Sequence, residues 1–260
     1  MVQNNPGDPV GWEQTKYFDP EELLKLGYTG MTTTGEMSGT QAVDFASLGG
    51  PINFFPPGSA QRLWLDAYAK GVDRYIKRAK ATGLKAYFFV DLLVFPAPVL
   101  AAWANATSGG KVVWNAASKQ LLQALVDETF TRFPDCDGWI VRTGETYTYD
   151  TPYHVGNSPN PSKNQAVWVD FITFLRQAVC VLHRKQLFFR GWDNWPSQAE
   201  YYLAMTAKIP PHPKLYFSIK HSSGDFVRPA SWNPQLGIGQ HGQIVEVELQ
   251  RECECCRLVL

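Results

Sequence analysis

Charge is scarce in this sequence. Only 18% of its 260 residues are charged, and 24 Lys and Arg are balanced by 24 Asp and Glu, for a formal net charge of zero. A nucleic-acid or anionic-membrane partner calls for basic charge gathered on one face, so neither is expected. No apolar run approaches the roughly 18 to 20 residues of a membrane span, and no membrane partner is expected on that ground either. Met1 to Trp12 lack a basic n-region and an apolar h-region, so no signal peptide is visible, and the compartment is left open. Cysteine gives no framework: Cys136 and Cys180 lie far apart, while Cys253, Cys255 and Cys256 crowd together at the end, for an odd total of five. A metal site needs ligands converging from separated pairs, and no second pair stands upstream, so no metal is expected. No G-x-G-x-x-G or phosphate loop follows any strand-like run. Aromatic residues, in contrast, reach 13% and include nine Trp within a 45% hydrophobic chain. That much apolar surface excludes a disordered chain. It suits a pocket that stacks flat rings as well as it suits a Trp-rich core.

Short apolar β-type runs alternate with longer amphipathic stretches, the pattern of βα units around a parallel sheet. Asp19-Pro20-Glu21-Glu22 predicts a capped helix leading through Gly27 into the run Thr29 to Thr34. A long helix is expected over Gln61 to Thr82, with Leu63, Ala67, Val72, Tyr75, Ile76 and Ala79 near a 3.6-residue period. Leu84 to Leu93 reads as a strand buried on both faces, and Ser118 to Phe133 as a helix capped by Ser118. Gly138 to Arg142, Gln186 to Arg190, Lys214 to Lys220 and Gln243 to Leu249 read as further strands, with helices near Gln165 to Arg184 and Gln198 to Lys208 between them. The fold class expected is α/β, a (β/α)8 TIM-type barrel showing about six βα units and therefore incomplete. Residues 1–252 would form this barrel domain, and 253–260 a Cys-rich tail. A doubly wound sheet also gathers ligands at strand ends, but at a single switch point. Here charged residues follow many strands, as at the C-terminal face of a barrel.

Three groups of residues carry the chemistry. Glu145 lies just past the buried run Trp139-Ile140-Val141, where desolvation would raise its pKa and let it donate a proton near neutrality; Arg142, if close, would oppose that rise. Asp225 follows Gly224, which permits the backbone to turn it toward the same cavity, and Lys220 puts a cation at the strand tip. In Val245 to Glu252, period-two alternation sets Glu246, Glu248, Gln250 and Glu252 on one face, a polar lining too costly for a buried core. Three carboxylates with Arg190 and Lys220 beside them resemble an acid and base pair with cations for an anionic substrate. Inverting glycoside hydrolysis needs such a pair of carboxyls ~6.5–9.5 Å apart, with Arg as a bidentate fork and Lys as a point charge for a substrate carboxylate.

These motifs, taken in order, resemble the catalytic barrel of the family 67 glycoside hydrolases, the α-glucuronidases that release (4-O-methyl)glucuronic acid from xylan side chains. The resemblance covers roughly Leu24 to Glu252. Gly138 to Glu145 is similar to the family's strand ending in an acid Glu, which implies that role for Glu145. Phe188-Phe189-Arg190 is similar to the strand ending in a carboxylate-binding Arg. Ser218-Ile219-Lys220 through Gly224-Asp225-Phe226 resembles the stretch V-K-N-G-x-x-D-F, and Glu246 to Glu252 resembles E-x-Q-x-x-Q-E-Y. The resemblance thus implies Glu145, Asp225 and Glu252 as catalytic residues and Arg190, Lys220 and, less directly, Arg142 as uronate ligands. Trp192, Trp195 and Tyr147 stand close by as sugar-stacking candidates, Trp192 foremost. No cofactor is implied, since side chains perform both proton transfers. The sequence departs from the family in having Val141 four residues before the acid and in lacking the Tyr after Glu252. The expected partner is an oligosaccharide bearing a uronic acid. A carbohydrate-binding or inactive chain, and a barrel hydrolase for a neutral glycoside, stand as the alternatives.

Overall fold

In the computed structural model, which describes residues 19–33, 38–49, 54–143, 151–156, 164–191, 197–222 and 232–247, Asp19 accepts a hydrogen bond from Glu21 N at 2.9 Å and opens helix α1 (Pro20–Lys25). Strand β1 (Gly30–Thr32) follows, then helix α2 (Ala60–Ala81), where Ser59 caps by accepting from Arg62 N. The stripe that α2 buries is Leu65, Ala69, Val72, Ile76 and Ala79. Leu63 and Ala67, expected on that stripe, face solvent instead. The 3.6-residue period is as expected, but the phase of burial is set by the sheet beneath and runs through Leu65.

Strand β2 (Lys85–Asp91) is buried on both faces after its first residue. Beyond it come a short segment, Val94–Pro96, and helix α3 (Ala97–Ala102). Helix α4 (Ala116–Arg132) is capped by Asn115, with Ser118 completing the capping box by returning a bond to the Asn115 N–H; the expected cap lies three residues too far along. Strand β3 (Gly138–Arg142) leads past 144–150 to His154–Gly156, which pairs antiparallel with Val94–Pro96. Helix α5 (Gln165–Leu175) runs on as a π-helical stretch, Arg176–Leu182, into strand β4 (Gln186–Arg190). Helix α6 (Ala199–Thr206), strand β5 (Leu215–Lys220) and strand β6 (Gly242–Glu246) complete the described elements.

Gln165–Leu182 is, against expectation, long and apolar enough by length and composition to cross a membrane, with a mean hydropathy of 1.3. Yet it buries Trp168, Phe171, Ile172, Leu175, Ala178, Val179 and Cys180 in the same core as the sheet, as a core helix does. Cys136 and Cys180 are free and buried, and desolvation pushes both thiols up to about 12, which leaves them unreactive.

All six strands pair parallel and lie side by side in chain order, β1 to β6. Right-handed crossovers between sequential neighbours put every connecting helix on the same face, and the strand twist then curls the sheet. A doubly wound sheet would reverse its strand order, and none of these strands does. The result is a curled parallel half-barrel within a mixed α/β structure. The described residues supply six strands to this sheet, so they do not close an eight-stranded barrel.

The two faces differ. The outer one, with Phe88, Val90, Trp139, Val141, Leu187, Phe189, Leu215, Phe217 and Ile219, joins the helices in one large core. The inner face carries a small cluster of Tyr87, Phe89, Ile140 and Phe188, with Tyr216 and Ile244 packed against it.

Candidate functional site

Register explains how the inner face becomes a site. Phe89 lies beside Ile140, Ile140 beside Phe188, and Phe188 beside Tyr216, so an apolar floor crosses the sheet at one level. Side chains alternate along a strand, so the next inward position is two residues on. Those positions are Asp91, Arg142 and Arg190 on β2, β3 and β4, Ser218 and Lys220 on β5, and Glu246 on β6. Every one of them sits at or near the C-terminal end of its strand, where barrel enzymes assemble their sites.

Two guanidinium–carboxylate pairs organise this polar rim. Arg142 donates from Nε to Asp91 Oδ1 and from Nη2 to Oδ2, both at 2.7 Å. The pair is fully desolvated, with side chains 4% and 0% exposed. Arg190 donates from Nε to Glu246 Oε1 at 2.6 Å and from Nη2 to Oε2 at 2.8 Å, reaching across β5, whose Ser218 Oγ adds a bond to Oε1 at 2.6 Å. Both guanidinium carbons stand over the Phe89 ring, 4.9 Å and 5.5 Å from its centroid. The aromatic floor thus holds both cations against its face. Burial by itself would raise the Glu246 carboxyl; the charge of Arg190, hydrogen bonds from Arg190 and Ser218, and the charge of Lys220 together outweigh it and hold the group below its ordinary value. Glu246 is therefore a fixed anion near neutrality and unsuited to donate a proton.

Of the expected site residues, Arg142, Arg190 and Lys220 are brought to this one rim. Arg190 and Lys220 remain partly accessible; Arg142 is buried, and its charge is matched by Asp91, which lies in register opposite it. Glu145, Trp192, Asp225 and Glu252, together with Tyr147 and Trp195, fall outside the described residues. Glu246, expected on the polar face of the last strand, does line the inner side, while Gln243 points to the outer one and donates to the Tyr202 hydroxyl at 3.0 Å. Strand β6 ends at Glu246, three residues short of the expected Leu249.

The role of Ser218 and the pairing of Asp91 with Arg142 were not foreseen. A signal for them exists in the sequence: β2, β3, β4 and β6 each end with an apolar residue, one spacer and a charge, as in Phe89-x-Asp91, Ile140-x-Arg142, Phe188-x-Arg190 and Ile244-x-Glu246. Among the described residues no group of three His, Cys, Asp or Glu is placed to hold a metal ion.

No family model and no curated protein matches this chain. Among solved structures, it is similar to a chitobiase from Flavobacterium johnsoniae, with 16% identity and a TM-score of 0.34 over 62% of this chain and 29% of that one. It is also similar to the cyclic α-maltosyl-(1→6)-maltose hydrolase of Arthrobacter globiformis, with 11% identity and a TM-score of 0.29 over 59% of this chain and 46% of that one. The chain spans less than half the length of either.

Proposed function

We propose that the chain is an inverting glycoside hydrolase that removes glucuronic or 4-O-methylglucuronic acid from xylan-derived oligosaccharides. The observation that carries this reading is the rim itself: Arg190, Ser218, Lys220 and Glu246 gathered at the C-terminal ends of β4, β5 and β6, above a floor of Phe89, Phe188 and Tyr216. Two cations at one rim suit a sugar that bears a carboxylate, while the aromatic floor beneath holds the guanidinium groups in place.

In this reading Glu145 is the general acid, protonating the glycosidic oxygen as the bond to the anomeric carbon breaks. It follows Arg142 by three residues, a tether of at most ~10 Å from the rim. Asp225 and Glu252 hold and activate the water that attacks from the opposite face. Lys220 and Arg190 bind the uronate carboxylate, with Glu246 fixing the orientation of Arg190. Arg142, locked to Asp91, anchors the start of the segment that leads to Glu145. Trp192 follows Arg190 by two residues and stacks on the sugar.

The test is release of free glucuronic acid from aldouronic oligosaccharides. Glu145→Gln is expected to lower kcat by about 10²- to 10⁴-fold, the usual worth of a general acid. Activity that survives this change removes Glu145 from the role. Turnover of a neutral aryl glycoside but not of the uronate moves the chain to a different hydrolase class.

A second reading is a protein that binds uronate oligosaccharides through the same rim cations without cleaving them. Calorimetry would then show uronate binding in the absence of any released sugar.

A further inference from the structure

Of the six tryptophans among the described residues, five have a packing role. Trp139 and Trp168 are completely buried, and Trp64, Trp103 and Trp114 are partly buried against the main core. Trp232 differs: it is 73% exposed, more than any other large apolar side chain among the described residues. An indole left in water forfeits the burial that normally fixes a Trp in a fold, so its position is held by other means.

Those means tie it to the polar rim. Trp232 forms an antiparallel bridge with Ser222, two residues beyond Lys220. The next residue, Asn233, donates its N–H to the His221 carbonyl at 3.0 Å, and His221 in turn donates its N–H to the Glu246 carbonyl at 2.9 Å. The His221 ring meets the indole edge-on, with centroids 6.2 Å apart and planes at 74°. Backbone bonds and one ring contact therefore set the indole beside the ends of β5 and β6. Ser222 adds a second observation. It is 3% exposed, and its hydroxyl has no hydrogen-bond partner, an unmet polar group at the strand position that faces Trp232 across the bridge.

We propose that Trp232 is the stacking platform for an uncharged pyranose that neighbours the uronic acid in the substrate, so that the oligosaccharide backbone is gripped at the β5–β6 end of the rim. The inference rests on the hydrolase reading for the identity of the neighbouring sugar. The indole presents a flat apolar surface that matches the C–H face of a pyranose, and it is exposed enough to take one. Lys220 and Arg190 take the charged sugar, and Trp232 takes the neutral one. The chain would then prefer a uronic acid carried on an oligosaccharide over the same uronic acid alone.

The experiment is titration of the full chain with xylotriose, an uncharged probe, followed by tryptophan fluorescence and calorimetry, for the unmodified protein, Trp232→Phe and Trp232→Ala. Trp232→Ala is expected to weaken binding by about tenfold, the scale of one stacked aromatic, with Trp232→Phe falling between. Near-UV circular dichroism of each variant reports whether the fold is kept. Equal xylotriose affinity in a folded Trp232→Ala variant and in the unmodified chain overturns the platform, even where uronic acid is still released. Xylotriose binding lost in Trp232→Ala, in a chain that releases no uronic acid, keeps the platform and removes the hydrolase reading instead.

Discussion

The two arginines of the rim differ in what surrounds them, and the difference predicts different behaviour. Arg142 and Asp91 are both desolvated, so removing one partner takes the bidentate counter-charge away from a buried charge. Arg142→Met is expected to cost about 3–5 kcal/mol of unfolding free energy, the range for breaking a buried pair. The double substitution Asp91→Leu with Arg142→Met should recover most of that loss, because two apolar side chains can occupy the same space over Phe89 without a desolvation penalty. Denaturant unfolding of the two variants checks this; a double variant no more stable than the single one would show that the pair contributes more than charge balance. The Arg190–Glu246 pair keeps some contact with water, its side chains being 16% and 19% exposed. The residue types at the rim were legible in the sequence, since β2, β3, β4 and β6 each end on a charge two positions after an apolar residue. Their pairing was not. Arg142 meets a carboxylate 51 residues away and Arg190 one 56 residues away, and only strand register decides which acid faces which base.

At the scale of elements, strands were easier to read than helix detail. A parallel strand covered on both faces is a continuous apolar run, and Leu84 to Leu93 showed one. Helix phase and capping depend on what lies beneath, which is why the α2 stripe fell on Leu65 and not Leu63, and why Asn115, not Ser118, caps α4. The π-helical stretch before β4 has no pattern of its own in the sequence, as its apolar residues fit an ordinary helix equally well. Strand β3 offers a test of how tightly neighbouring backbones approach. A Cβ added at Gly138 would lie 2.0 Å from the Gln186 carbonyl oxygen, a backbone atom that cannot swing away. Gly138→Ala is therefore expected to push β3 and β4 apart and to cost on the order of 1–3 kcal/mol or more, measured by the shift in denaturant midpoint. Unchanged stability would mean that the strand start can move without disturbing the register above it.

For the whole molecule, one enclosed imidazole adds to the acid sensitivity that ion-paired carboxylates such as Glu246 bring. His154 sits where His154–Gly156 pairs with Val94–Pro96, its ring 5.7 Å from that of Trp64. Its Nδ1 lies 2.9 Å from the Pro152 carbonyl, which can only accept, so Nδ1 carries the proton and Nε2 is a buried acceptor without a partner. Burial lowers this group from 6.5 to about 4, with the Pro152 bond opposing. The unfolded chain then takes up a proton that the folded one refuses, so the contribution is complete above pH 6.5 and is lost as pH falls toward about 4. The difference corresponds to about 3 kcal/mol. Urea unfolding at pH 7 and pH 4.5 should show a loss of this size, and His154→Phe should flatten it while the ring packing against Trp64 is kept. An equally steep loss in the variant would assign acid sensitivity to the carboxylates.

The sheet also ends unequally on its two sides. Strand β1 is three residues long, and a short border offers little for another chain to pair with. Strand β6 is five residues long and stands at the opposite border, with Val245 48% exposed on it and Val247 59% exposed just past its end. Among the described residues no strand pairs with its outward row of peptide groups, so within that region this border is the one that could template a further strand, through backbone alone.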